Sequence, residues 1–167
     1  MVQRRKSCLT SSCLRLRLSD TLDANSIVYY LHRVEPYASK VKSVLAERGD
    51  LAVTLRIVDE VVFTLIRLEA WRRLGIRKLD QLREHIRKHG LNEFNDVIND
   101  VEEMIDRLGI IVLEDRGGLT ELLETIGKYS LLPGDALIAI TARHYGIDTI
   151  LTFDEDFKQV PWLKVTP

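Results

Sequence analysis

Cysteine is scarce: the 167 residues contain two, Cys8 and Cys13, close together near the N-terminus. Neither the paired clusters of a zinc site nor the framework of a small secreted domain is present, so a reducing, cytoplasmic setting is expected. Long apolar runs are also missing. None approaches the roughly 20 residues that span a bilayer, and no signal-peptide core is seen, so no membrane association is expected. Net charge is nearly absent too, because 24 Lys and Arg stand against 25 Asp and Glu. A balance of −1 favours no polyanionic partner until the charges are located along the chain. There is no repeat, low-complexity tract or linker. With 46% hydrophobic residues, the length suits a single well-packed domain.

Residues 1–18 contain Arg4, Arg5, Lys6, Arg15 and Arg17 and no acid, which superficially fits a transit peptide. The alternation of Leu14, Leu16 and Leu18 with arginines is instead a strand signal. Residues 1–10 are then expected to be a loose tail and residues 11–167 a single domain. The segment Ser19 to Asn25 reads as a turn, after which Ser26 is placed to cap a short helix. A second helix is expected over Ala38 to Arg48, closed by Gly49, followed by an extended stretch through Leu51, Val53 and Leu55. Val58, Val61, Val62, Leu65 and Leu68 mark one face of a long helix ending before Gly75, with Glu60 in its first turn. Further apolar periodicities, at Leu79, Leu82 and Ile86 and then from Phe94 to Leu108, make the middle third helical.

Ile110 to Leu113 is a continuous apolar run that suits a strand covered on both faces. Helices are expected over Leu119 to Lys128 and Pro133 to Tyr145, the latter with proline where a first turn tolerates it. A buried strand at Thr149 to Leu151 and an edge strand at Leu163 to Val165 complete the pattern. Strands alternating with helices predict an α/β protein with helices on both faces of a mostly parallel sheet.

Four acids sit at a strand end or a helix start: Asp23, Glu60, Asp135 and Asp154. Asp20 competes with Asp23 for the first position and Asp59 with Glu60 for the second. Any one of them has an ordinary explanation as a helix-dipole partner or turn residue. Four in this order are harder to explain so. The pieces Leu22-Asp23-Ala24-Asn25-Ser26, Val58-Asp59-Glu60-Val61, Leu132-Pro133-Gly134-Asp135-Ala136 and Thr152-Phe153-Asp154-Glu155-Asp156-Phe157 resemble the PIN domains, including the VapC-type toxins. The resemblance implies an α/β/α sandwich and a Mg²⁺- or Mn²⁺-dependent ribonuclease. It implies Asp23, Glu60, Asp135 and Asp154 as catalytic acids, with Asp23, Asp135, Asp154 and Asp156 holding metal and Asn25 and Thr152 orienting them. Asp23 is preferred over Asp20 because a helix follows at once and Asn25 sits two residues on, and Glu60 over Asp59 because the family pattern places a glutamate directly before an apolar pair, here Val61-Val62; both pairs stay open.

The residue types suit such an ion. Hard cations prefer oxygen, and Mg²⁺ keeps several waters, so one or two carboxylates bind directly while others hold metal-bound water. In phosphodiester hydrolysis the ion neutralises the phosphate, lowers the pKa of water and stabilises the departing oxygen. These oxygens are expected to converge into one bowl.

Trp71 to Gly90 carries Arg72, Arg73, Arg77, Lys78, Arg83, Arg87 and Lys88 against Asp80 and Glu84. Leu91 to Asp115 holds eight acids and one base, Arg107. Two electrostatic faces are expected, the basic one either tracking an RNA backbone or serving as a solvated helix face. Single-stranded or looped RNA fits best, since its phosphates can be splayed into a cleft. The resemblance further implies a homodimer and a small antitoxin partner. Its alternatives are an RNA-turnover nuclease without a toxin role and a catalytically silent PIN-like binding module.

Overall fold

A computed structural model describes Leu18 and residues 20–49 and 51–167. Its strands are β1 (Asp20–Leu22), β2 (Leu51–Thr54), β3 (Ile111–Leu113), β4 (Thr149–Leu151) and β5 (Lys164–Thr166). They form one sheet in the order β3-β2-β1-β4-β5, and every pairing is parallel. The helices among the described residues are α1 (Ala24–Leu31), α2 (Tyr37–Glu47), α3 (Leu55–Leu74), α4 (Leu79–His89), α5 (Asn95–Leu108), α6 (Leu119–Tyr129) and α7 (Pro133–Tyr145).

The chain steps outward from β1 to β2 to β3 and then returns across the sheet to β4. Right-handed crossovers therefore assign α1 to α5 to one face and α6 and α7 to the other. The packing agrees: α1 lies on α2 and α3, α3 on α5, and α6 on α7. This is the expected α/β/α sandwich, with a sheet that is wholly parallel.

The first strand lies later than the leucine alternation suggests. Leu14 and Leu16 fall outside the described residues, as does the proposed tail, while β1 occupies the segment read as a turn. Its polar residues can be buried because each has a partner. Asp20 pairs with Arg48 at 2.5 Å, and the Thr21 hydroxyl donates to the Ala52 carbonyl at 3.1 Å. A second correction concerns Ile110 to Leu113. β3 is an edge strand with Val112 exposed, because the order of the sheet leaves it a neighbour on one side only.

β2 is buried at all four residues and passes without a loop into α3. Thr54 caps that helix, its hydroxyl accepting from the Ile57 amide at 3.2 Å. Since α3 starts at Leu55, Glu60 lies in its second turn rather than its first. Gly75 closes it in the left-handed conformation, φ 68°. Arg116-Gly117-Gly118 lies in the connection from β3 to α6.

After β4 the chain turns through Thr152–Glu155 into a short 3-10 helix, Asp156–Gln159. Phe157 and Val160 are fully buried and anchor this turn in the core. Phe157→Ala should therefore destabilise the domain by about 3–5 kcal/mol. Urea denaturation checks this, and an undiminished midpoint would show that the turn does not depend on its aromatic anchor.

Candidate functional site

The order of the sheet makes β1 and β4 neighbours although the chain leaves them toward opposite faces. At such a switch point a crevice opens beyond the carboxyl ends of the strands. Asp23 follows β1 immediately, and Thr152 to Asp156 follow β4. The two exits are laced together. The Asp23 amide donates to the Leu151 carbonyl at 3.0 Å, and the Ser26 hydroxyl donates to the same carbonyl at 2.9 Å. Ser26 is thus a buried tie between strand and helix. The N-cap of α1 is Asp23, which makes no side-chain capping bond.

Its carboxylate is used elsewhere. Thr152 Oγ1 donates to Asp23 Oδ2 at 2.7 Å while accepting from Asn25 Nδ2 at 3.2 Å and from the Asp154 amide at 2.9 Å. The Phe153 amide donates to Asn25 Oδ1 at 3.3 Å, and the Asp156 amide to Asp154 Oδ1 at 2.9 Å. Phe153 packs against Tyr29 and Tyr37, with ring centroids 5.6 and 4.9 Å away. Aromatic packing on one side and hydrogen bonds on the other fix the segment that carries Asp154.

α3 and α7 bring in the other acids from opposite faces of the sheet, their starts meeting beyond its edge. Asp135 lies in the first turn of α7, after Pro133. Asp23 and Asp135 are both pushed up to about 6, each chiefly by burial. The Thr152 hydrogen bond partly offsets this at Asp23, and the charges of Glu60 and Asp154 add to it. At Asp135 the charges of Asp23, Glu60, Asp154 and Asp156 add to it. Asp135 thus feels the charges of the other four acids at the carboxyl edge of the sheet.

Asp20 and Asp59 lie apart from them. Asp20 is at the opposite end of β1, paired with Arg48, and Asp59 is an exposed partner of Arg56 at 2.6 Å. Asn25 and Thr152 stand between Asp23 and the Asp154 segment.

The donors are carboxylate oxygens, which suit Mg²⁺ or Mn²⁺. Their arrangement differs in one respect from the bowl expected from sequence. Among the described residues no three Asp, Glu, His or Cys side chains are set to hold a cation together. Other partners account for this: Asp23 is turned to Thr152, Asp154 to the Asp156 amide, and Glu60 toward Arg56 at 3.6 Å. The set therefore fits an ion held by one or two carboxylates and reached by the rest through water, which is how Mg²⁺ is commonly bound.

Arg56 carried no signal in the sequence beyond its four-residue spacing from Glu60. The basic run of α3 and α4 needs a correction as well. Arg72 and Arg73 both bind buried Glu69, at 2.6 and 2.5 Å, and Arg73 also pairs with Asp96. Hydrogen bonding from Arg72, and from Arg73, holds the Glu69 carboxyl below the ordinary range. Arg83 pairs with Asp80 and Lys88 with Glu84, while Arg77 lies over Trp71, 5.6 Å from the ring centroid. Trp71 itself is exposed. Much of this charge is thus spent within the protein, part of it on α5. The two electrostatic faces meet.

A carboxyl that binds its proton more tightly folded than unfolded stabilises the fold fully below its unfolded value of about 4. That contribution is lost as pH rises through about 6. In chelator, Asp135→Asn should therefore melt higher than the parent at pH 7.5, by on the order of 2–4 °C, with no advantage at pH 4. Paired thermal melts at the two pH values check this, and a pH-independent difference would count against charge crowding.

Comparison with known proteins agrees with this geometry. The family model described as "PIN domain" matches residues 21–163. The chain is similar to Ribonuclease VapC6 of Methanocaldococcus jannaschii, 34% identical over 83 residues, which are 47% of this chain and 54% of that protein. Ribonuclease VapC2 of the same organism is 52% identical over 42 residues, 25% of this chain and 28% of that protein. The match thus spans about half the length of the first relative and less of the second. Among solved structures, Mycobacterium tuberculosis VapC20, described as a Sarcin-Ricin loop cleaving toxin, superposes with a TM-score of 0.59 at 17% identity, covering 89% of this chain and all of that one. VapBC2 from Rickettsia felis, bound to a DNA fragment from its promoter, gives 0.54 at 16% identity, covering 88% and 96%. At these identities the structures speak for the fold, whereas the family model covers most of the chain, and on that ground the chain belongs to the PIN domain family.

Proposed function

We propose that this chain is a Mg²⁺- or Mn²⁺-dependent endoribonuclease of the VapC type, the toxin of a toxin–antitoxin pair, acting on single-stranded or looped RNA. The observation that carries this reading is the gathering of Asp23, Glu60, Asp135, Asp154 and Asp156 at the β1/β4 switch point, where two of them are pushed up to about 6. Such crowding is costly to a fold and suits a divalent cation. When bound, the ion supplies charge neutralisation at the phosphate and a more acidic water.

In this reading Asp23, Asp135, Asp154 and Asp156 hold the ion directly or through water, and Glu60 orients water on the α3 side. Asn25 and Thr152 keep Asp23 and Asp154 in fixed relation, so little reorganisation is needed when RNA arrives. Of the basic run, Arg77, Lys78 and Arg87 are the cations left for a phosphate backbone; Arg72, Arg73, Arg83 and Lys88 would first have to give up protein carboxylates.

A small antitoxin and a second copy of the chain are the partners this reading carries, in a cytoplasmic setting. The solved relatives include toxin–antitoxin complexes, and this chain exposes Leu55, Leu119, Leu123 and Leu132, apolar surface of the kind interfaces cover. Leu55 and Leu132 flank the helix starts that bear Arg56 and Asp135. Among the described residues no helix is long and apolar enough to cross a membrane.

Incubation with single-stranded RNA should give cleavage that requires Mn²⁺ or Mg²⁺ and falls by about 100-fold in Asp154→Asn. Millimolar Mn²⁺ should also raise the melting temperature of the parent and not of Asp135→Asn. RNA binding without metal-stimulated cleavage would favour a silent binding module, and an equal thermal shift in Asp135→Asn would place the ion elsewhere.

A further inference from the structure

Among the described residues, Arg56 is the cation that forms an ion pair with a carboxylate of the acidic cleft. Its guanidinium lies 3.6 Å from Glu60 at Nη2 and 2.6 Å from Asp59 at Nη1. It also rests against the first turn of α7. A Cβ built on Gly134 would come within 3.0 Å of Arg56 Nε and 3.1 Å of Nη2. The residue before Asp135 thus has no side chain where the arginine crosses from α3 to α7, and that crossing puts a positive group beside Glu60 and the first turn of α7.

We propose that Arg56 is a substrate-positioning residue that takes a non-bridging oxygen of the RNA phosphodiester, and that Gly134 is small so that the guanidinium can reach it. This rests on the nuclease reading and goes beyond it, since ionised carboxylates repel a phosphate and the Thr152 hydroxyl beside them already gives its proton to Asp23. Five acids around one cleft repel a polyanion, and a single divalent ion offsets part of that charge. A fixed guanidinium adds to it and offers parallel N–H donors matched to a phosphate. Its present partners are poor competitors. Asp59 is 71% exposed and Glu60 39% exposed, and ion pairs so open to water contribute little stability. The arginine can exchange them for a phosphate without loosening the helix.

The test uses the full chain carrying Asp154→Asn, which suppresses cleavage, and a fluorescently labelled single-stranded RNA in Mg²⁺. Adding Arg56→Ala should weaken binding about tenfold and reduce the slope of log affinity against log salt by about one. Arg56→Lys should restore the slope while recovering only part of the affinity, and Gly134→Ala should mimic Arg56→Ala by displacing the guanidinium. In the chain with Asp154 restored, Arg56→Ala should slow single-turnover cleavage with an unchanged melting temperature. Unaltered affinity and slope in Arg56→Ala would overturn the proposal. Faster cleavage at lower Mn²⁺ would also overturn it, making Arg56 a tethered competitor of the metal. A parent chain that binds RNA in an Arg56-dependent way without cleaving it would sink the nuclease reading and leave the phosphate contact standing. Cleavage indifferent to Arg56 would do the reverse.

Discussion

Charge crowding at the β1/β4 switch point is the constraint around which the rest of the structure is arranged. Like charges are brought within reach of one another because the exits of β1, β2 and β4 and the start of α7 lie at the same sheet edge, a matter of topology rather than of local preference. The surrounding groups serve mainly to hold them there. Thr152, Asn25 and Ser26 join the exits of β1 and β4, the Tyr29, Tyr37 and Phe153 rings clamp the following segment, and buried Phe157 fixes its far end. Stability elsewhere in the domain supports a locally unfavourable arrangement, as is common where chemistry is done.

The helices differ in how directly they serve that edge. α3 and α7 start at it and carry acids to it, and both have strong local start signals, Thr54 capping one and Pro133 opening the other. α5 is remote from it and is tied to α3 by the Glu69–Arg73–Asp96 network. That network absorbs cations which, counted along the chain, suggest an interface for a polyanion. Position in sequence says where charge is, and packing says whether it is available.

Much of this was legible from the residues. Periodicity located the long helices, Gly75 marked the end of α3, and the wholly buried β4 followed from its apolar composition. The failures have physical causes. β1 is three residues long and two of them are polar, so its pattern resembles a turn until Arg48 and Ala52 appear as partners. β3 was expected to be covered on both faces, because an apolar run does not reveal that a strand lies at the edge of its sheet, where Val112 is left exposed. The acids were recognisable as a set only through family resemblance, whereas Arg56 depends on a close approach to Gly134 across 78 positions of chain, which no local spacing encodes.

The saturated hydroxyl of Thr152 has a consequence for how Asp23 can act. Its proton goes to Asp23 Oδ2 at 2.7 Å, a nearer acceptor than Asn25 Oδ1 at 3.5 Å, and its lone pairs face Asn25 Nδ2 and the Asp154 amide, so the hydroxyl is held toward the carboxylate. It pins one carboxylate oxygen and so sets the rotation of the whole group. The carboxylate, which the Ala24 amide also approaches, is thereby presented to any visitor in one orientation, aimed by a residue that itself never needs to touch it.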